Sequence, residues 1–166
     1  MAEAQLETYV GEVVEAFGAP VAGVFVLGSA LLGGFDPATS DVDLVVVVDG
    51  PLDADAVIAT LDELETPFRK LELVVYARGA KPPAYELNYP DGPGEPDFWF
   101  VLDAAIAQRH AHGWLDLLQP VTEAETRRAA GELLDWAEHH GEAVHAARAR
   151  QYLDHGTWIT KEEAGG

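Results

Sequence analysis

The 166-residue chain contains no cysteine, which excludes disulfide bonds, thiolate metal sites and cysteine nucleophiles. Basic residues are scarce, since ten lysines and arginines stand against 29 acidic residues and the net charge is −19. Binding to nucleic acid depends on basic side chains that neutralise phosphates, so this composition argues against a nucleic-acid partner. The same acidity is also typical of a highly soluble protein or of adaptation to high salt, and it selects no substrate.

Long apolar runs are absent as well. None approaches the ~20 residues that a transmembrane helix requires, so we expect no membrane partner. The N-terminal residues MAEAQLETYV are acidic and lack the basic segment of a secretory signal peptide, which favours a cytoplasmic location. The hydrophobic content of 48% is sufficient for a packed core. The length suits one domain, or one domain and part of another.

The most informative stretch covers residues 28–48, GSALLGGFDPATSDVDLVVVV. Its apolar end, residues 44–48, predicts a buried strand. Asp41 and Asp43 lie two residues apart at the start of this strand, so both carboxylates point to the same face. Such a pair repels itself unless a cation or a proton lies between the carboxylates, and Mg²⁺ shared with substrate phosphates is the usual cation. An isolated D-x-D more often belongs to a surface loop in which the aspartates cap a turn.

The alternation of periods along the chain predicts an α/β (α+β) fold, with a small mixed sheet, helices on one side, and a partial helical domain after it. Helix-stop and capping signals, including Thr122-x-x-Glu125 and Thr160-x-x-Glu163, place a boundary near Gln119-Pro120, giving domains at 1–118 and 119–166. The second capping box would open a third C-terminal helix. The predicted strands are Val21–Leu27, Val42–Val48, 71–76 and a short edge strand at 85–89, and the predicted helices are 6–17, 53–66, 98–112, 122–138 and 142–154.

The Gly28-Ser29 pair, eleven intervening residues, Asp41-x-Asp43 and the strand that follows resemble the signature of the DNA polymerase β-like nucleotidyltransferase superfamily. The resemblance implies that Gly28 and Ser29 cradle nucleotide phosphates through backbone N–H groups and the Ser29 hydroxyl. It also implies a third carboxylate on the strand after the next helix. Glu72 is the only candidate there, although a single charged residue in a strand most often faces solvent.

The resemblance extends to the aminoglycoside (3'')(9) adenylyltransferases, which inactivate streptomycin or spectinomycin. It rests on the order of the two motifs above with Leu71-Glu72-Leu73, Tyr85-Glu86-Leu87 and a helix that ends in Arg109-His110. Residues 144–163, with Arg148, Tyr152, Gly156, Trp158 and Lys161, are similar to the start of that family's helical C-terminal domain. The family's helical domain continues beyond the length present here, so the resemblance implies a shortened C-terminal domain.

This family resemblance assigns roles residue by residue. Asp41 and Asp43 would hold two Mg²⁺ ions with ATP as co-substrate, and Glu72 would be the base that deprotonates the acceptor hydroxyl. Gly28 and Ser29 would contact the phosphates, and Arg148 and Lys161 would reach the triphosphate from the helical domain. The hydroxyl would attack the α-phosphorus of ATP in line, and pyrophosphate would leave.

An aminoglycoside is a polycation, so its binding wall should be acidic and aromatic. We expect at least two carboxylates and one tryptophan from a set of six residues to line the cleft opposite Asp41. Each of them is individually more typical of an ordinary core tryptophan or a solvated acid. The set is Glu86, Trp99, Trp114, Asp135, Trp136 and Glu138.

Three functions remain open from the sequence. The first is an adenylyltransferase acting on an aminoglycoside-like hydroxyl compound, as a monomer or weak homodimer. The second is a minimal nucleotidyltransferase of the toxin–antitoxin type that modifies a protein or another acceptor, which the short C-terminus favours. The third is a nucleotide-binding remnant without turnover, against which the intact Asp41, Asp43 and Glu72 argue.

Overall fold

The computed structural model describes residues 2–18, 20–33, 35–161 and 163–165, which form four strands and seven helices. The strands are β1 (Val21–Leu27), β2 (Val42–Val48), β3 (Leu71–Ala77) and β4 (Leu87–Tyr89). The helices are α1 (Ala2–Glu15), α2 (Ser29–Leu32), α3 (Ala54–Glu63), α4 (Asp97–His110), α5 (Trp114–Leu117), α6 (Glu123–His140) and α7 (Ala143–His155).

The strands form one mixed sheet in the order β1-β2-β3-β4. Strand β1 is antiparallel to β2, β2 is parallel to β3, and β3 is antiparallel to β4. Helix α3 forms the crossover between the two parallel strands, because a parallel pair cannot be joined by a tight turn. The predicted α+β fold with a small mixed sheet is confirmed.

Helices cover both faces of the sheet, which differs from the expected arrangement with helices on one side. On one face, Leu44 and Val46 of β2 pack in a core that includes α1 and α3. On the other face, Val45 and Val47 pack against α4 and α5. The reason lies in β2 itself, because residues 44–48 are apolar without interruption and both faces of such a strand must be removed from water.

Helix α4 also joins the sheet to the C-terminal helices. Its residues Phe98 and Leu102 pack with Leu133 of α6 and Tyr152 of α7 in a separate core cluster. The side chain of Gln108 on α4 binds the backbone of Val121, donating to its carbonyl and accepting from its N–H, both at 3.0 Å. The division into domains at 1–118 and 119–166 stays a prediction, since α4 packs on both sides of that boundary.

Side-chain caps start α3 and α6 where the sequence places them. Asp53 accepts a hydrogen bond from the Ala56 N–H at 3.2 Å, and Thr122 and Glu125 form the complete capping box of α6. Thr160 accepts from the Glu163 N–H at 3.1 Å, but the described residues after α7 form turns and irregular structure, so the expected third helix is not present among them. Gly165 there has a φ of 94°, which ends helical geometry. No helix in the described ranges has the length and apolarity that crossing a membrane requires.

Candidate active site

Three carboxylates meet at one end of the sheet. Glu72 of β3 lies directly beside Asp43 of β2, and Asp43 in turn pairs with Leu27 at the end of β1. Asp41 immediately precedes β2. Since side chains alternate along a strand, Asp43 and Glu72 share the face that carries Val45 and packs against α4. The parallel register of β2 and β3 therefore brings together the acidic residues that the sequence selected.

Asp41 has an oxygen suited to a cation. Its Oδ1 atom is buried and accepts no hydrogen bond within the described part of the chain. The Arg69 Nε atom lies 3.7 Å from this oxygen, too far for a hydrogen bond, and the Arg69 side chain is largely exposed. A buried carboxylate oxygen without a donor is costly unless a ligand completes its shell, so this oxygen is available to a cation. The described residues contain no group of three acidic, histidine or cysteine side chains already arranged around a metal position.

The surroundings of Asp43 disfavour the charged form of its carboxyl. Burial raises the pKa of its carboxyl well above the usual range, contact with Glu72 raises it further, and the charges of Asp103, Glu72 and Asp41 add to the effect. Without a cation the site favours a proton on Asp43. A divalent ion would displace that proton and relieve the repulsion, so the donor set fits Mg²⁺, which prefers carboxylate oxygens.

Gly28 and Ser29 lie beside this acidic cluster. Gly28 follows β1 with φ 61° and ψ −138°, a conformation that only glycine adopts readily. A Cβ atom at this position would overlap the Asp43 carboxylate. Ser29 begins the short helix α2, which starts with a hydrogen bond from the Leu31 N–H to the Gly28 carbonyl at 3.1 Å. The turn is therefore held within contact distance of Asp43, and its phosphate-binding role stays a prediction.

Replacing Gly28 by alanine should impair both the fold and the site. The left-handed backbone is strained for alanine by about 1–3 kcal/mol, and the new methyl group must displace the Asp43 carboxylate. We expect Gly28→Ala to lower the free energy of unfolding by that amount and to weaken Mg²⁺-dependent ATP binding at least tenfold. Thermal unfolding and calorimetry measure the two effects.

Gly11→Ala is a matched control for this substitution. Gly11 lies in α1, and a Cβ there would meet no atom within 4 Å. This variant should be unchanged or more stable by about 0.5–1 kcal/mol. Normal ATP binding by Gly28→Ala would show that the Gly28-Ser29 turn does not shape the acidic site.

Two cations approach from the C-terminal helices. Arg148 on α7 donates from Nε to the Ile159 carbonyl at 2.9 Å, so the segment after α7 fixes its position. Trp158 in that segment stacks on Tyr152 of α7, with ring centroids 4.6 Å apart and planes 15° apart. Lys161 follows in the next turn, and its charge and that of Arg148 both act on Asp103. The charges of both cations thus act on the same residue of α4, and their role in phosphate binding stays a prediction.

Asp103 on α4 acts electrostatically on the acidic cluster, and the sequence analysis missed it. The charge of Glu72 acts on Asp103, and that of Asp103 acts on Asp43. Partial removal from water by the surrounding protein atoms raises the pKa of the Asp103 carboxyl, and the negative charge of Glu72 raises it further. The positive charges of Arg148 and Lys161 lower it. The side chain is nevertheless exposed, so water reaches the carboxylate and reduces the effect of burial. The sequence feature that could have identified Asp103 is its position as the single acidic residue in the apolar run FWFVLDAAIA. Glu72 was identified by the same kind of feature, an acidic residue inside an apolar strand.

Trp114 cannot form part of a binding wall, contrary to the prediction. It is 1% exposed and packs edge-to-face on Phe25 at a centroid distance of 5.1 Å, in the core between the sheet and α4. Its position follows from the need to cover the second face of the sheet, for which a large apolar ring is suited.

The other five predicted wall residues lie in different surroundings. The Glu86 N–H donates to the Val75 carbonyl at 2.7 Å, three residues beyond Glu72 along β3. Trp99 and Trp136 are half-buried and meet edge-to-face at 5.3 Å, and the ring of Trp99 also contacts His145 at 5.1 Å. Glu138 is exposed and pairs with Arg150 at 2.9 Å, and Asp135 is exposed on α6. Their role in binding an acceptor stays a prediction.

Comparison with known proteins agrees with this geometry. Residues 6–85 match the family described as Nucleotidyltransferase domain, and this segment contains β1, β2, β3 and the three converging carboxylates. The fold is similar to that of spectinomycin adenyltransferase AAD(9) from Enterococcus faecialis, crystallised with ATP and spectinomycin. That likeness has a TM-score of 0.72 and 20% sequence identity over 98% of this chain and 80% of that chain. No curated protein matches this chain in sequence. Residues 6–85 are therefore similar to a nucleotidyltransferase domain, and the whole chain shares the fold of an adenyltransferase.

Proposed function

We propose that this protein transfers AMP from ATP to a hydroxyl group of a cationic aminoglycoside of the streptomycin or spectinomycin type. The observation that carries the proposal is the convergence of Asp41, Asp43 and Glu72 beside the Gly28-Ser29 turn, inside the segment that matches the nucleotidyltransferase family. The similar fold of an adenyltransferase crystallised with ATP and spectinomycin supports it, and that similarity extends over the C-terminal helices as well.

Asp41 and Asp43 would hold Mg²⁺, and we propose two ions. When bound, the metal would stabilise the attacking and leaving oxygens of the displacement. The backbone at Gly28 and Ser29 would fix the phosphates, with Arg148 and Lys161 on the opposite side of the cleft. Glu72 would accept the proton of the acceptor hydroxyl. The oxygen of that hydroxyl would then bond to the α-phosphorus, the bond to the bridging oxygen would break, and pyrophosphate would carry away the electron pair.

The acceptor would bind near α4 and the C-terminal helices. The position of Trp99 supports this location, because its ring contacts His145. Burial lowers the pKa of His145, and the nearby charges of Lys161 and Arg148 lower it further. Trp99 therefore lies near the cations that would hold the triphosphate. Trp136, Glu86, Asp135 and Glu138 complete the proposed set, in which carboxylates pair with ammonium groups and tryptophan rings stack on them.

Acceptor binding should weaken as salt concentration rises. Exposed charge pairs are screened over about 10 Å at 0.1 M salt and about 3 Å at 1 M, and the proposed carboxylates Asp135 and Glu138 are exposed. We expect the affinity for streptomycin or spectinomycin, with ATP and Mg²⁺ present, to fall several-fold between low and high salt. Calorimetric titration measures it.

Incubation with labelled ATP, Mg²⁺ and a panel of aminoglycosides then tests the transfer itself. Labelled AMP on one of the drugs, with release of pyrophosphate, is the expected result. Failure of both drugs to bind at low salt, while ATP still binds, would favour a nucleotidyltransferase with a protein or another acceptor. ATP binding without transfer to any acceptor would favour a nucleotide-binding remnant.

A further inference from the structure

Asp103 lies at the seam where α4 leaves the sheet and meets the C-terminal helices. One turn before it on α4, Trp99 packs in the cluster with α6 and α7. One turn after it, Ala107 packs against the sheet. Residues three or four apart share a helix face, so this face of α4 passes from one layer to the other at Asp103. The carboxylate is exposed there. The ring of Trp99 contacts His145 of α7 at 5.1 Å, and Arg148 lies one turn after His145, so Arg148 and Asp103 belong to the stretch where α4 and α7 meet.

The cations across the seam are Arg148 and Lys161, and neither has a close anionic partner among the described residues. None of the ion pairs within 4.0 Å among the described residues includes Arg148 or Lys161. Arg148 is half-buried, and only its Nε atom has a described hydrogen bond, to the Ile159 carbonyl. Burial lowers its pKa, and the one charge that opposes this is that of Asp103. The charge of Asp103 therefore acts on Arg148, although no described ion pair within 4.0 Å joins the two side chains.

We propose that Asp103 is a positioning residue that competes with phosphate for Arg148 and Lys161, so that nucleotide and pyrophosphate stay weakly enough bound to leave. The inference rests on the proposed function, in which these two cations bind the triphosphate. A carboxylate that already faces the cations reduces what an incoming phosphate gains from them, because like charges near one cation repel. The opposite role, in which Asp103 helps to hold Mg²⁺, predicts an effect of opposite sign.

The sign of the effect of Asp103→Asn on binding tests the proposal. The amide keeps the shape of the side chain and removes its charge. We expect pyrophosphate and a non-transferable α,β-methylene analogue of ATP, both with saturating Mg²⁺, to bind about fivefold more tightly, an effect typical of a partly solvated ion pair. Calorimetry measures the dissociation constants. Glu132→Gln, which removes one exposed charge from α6, is the matched control and should change them less than about twofold.

A double-mutant cycle with Lys161→Gln shows whether the effect passes through the cations. Lys161 lies in an exposed turn, so its replacement should leave the fold intact, which thermal unfolding verifies. In the Lys161→Gln background, the tightening caused by Asp103→Asn should fall. An undiminished effect would mean that Asp103 acts directly on the phosphates, and it would overturn the proposal.

The remaining outcomes separate this proposal from the one on which it rests. If Lys161→Gln does not weaken binding of the ATP analogue, the proposed phosphate-binding role of Lys161 is wrong, and the competition fails with it. If Lys161→Gln weakens binding but Asp103→Asn leaves it unchanged or weaker, only the role of Asp103 is refuted. The same comparison can be made with Arg148→Gln, which removes the other proposed phosphate-binding cation.

Discussion

Replacement of Asp41 by asparagine is expected to abolish Mg²⁺-dependent ATP binding. The substitution removes one charge from the carboxylate pair and replaces a buried, unpartnered oxygen with a poorer metal ligand. ATP without the metal would then meet the remaining charge of Asp43 and Glu72, which repels its phosphates. We expect calorimetry to detect no binding of ATP at millimolar Mg²⁺, and AMP transfer to fall at least a thousandfold.

The control for this variant lies at the other end of the same strand. Asp49 immediately follows β2, is exposed, and pairs with Arg78 at 3.2 Å. Such an exposed pair contributes about 0–1 kcal/mol to stability, so Asp49→Asn should bind ATP normally. The Asp41 variant should also unfold at or above the wild-type temperature in the absence of metal, because it relieves repulsion on Asp43. Intact Mg²⁺-dependent binding by Asp41→Asn would refute the metal site.

Much of the fold and the acidic cluster was predictable because local sequence determines them. The apolar residues 44–48 specify β2, and the period of a strand places Asp41 and Asp43 on one face. Glu72 interrupts an apolar strand, and the parallel pairing of β2 with β3 brings it beside Asp43. Each of these steps depends on neighbours in the chain or on a short crossover.

The features that were missed depend on packing between distant segments. The core position of Trp114 arises because α4 and α5 fold over the second face of the sheet, to which no local period points. Asp103 belongs to the site only because α7 and the turn after it bring Arg148 and Lys161 towards α4. One exposed acid in a helix is ordinarily solvated, and its role becomes visible only when its neighbours in space are known.

Replacing Glu72 by glutamine should separate binding from chemistry. The amide keeps the size of the side chain but cannot accept the proton of the acceptor hydroxyl, so AMP transfer should fall by about 10²–10⁴-fold, the usual contribution of a general base. ATP affinity should stay within a few-fold of wild type. Lys70 would lose its partner 3.3 Å away, but both side chains of that pair are exposed, so the loss costs little.

The negative charges around Asp43 also favour unchanged ATP affinity in Glu72→Gln. Glu72 is one of the groups that raise the pKa of Asp43, so its neutralisation should make Asp43 easier to ionise and should not weaken the metal pair. Calorimetry with ATP and Mg²⁺, and the rate of pyrophosphate release with an acceptor, measure the two quantities. Glu72→Asp keeps a carboxylate on a shorter side chain, and partial recovery of transfer would identify proton acceptance as the missing step. If Glu72→Gln and Asp41→Asn lose ATP affinity equally, Glu72 is a metal ligand and another group must take the proton.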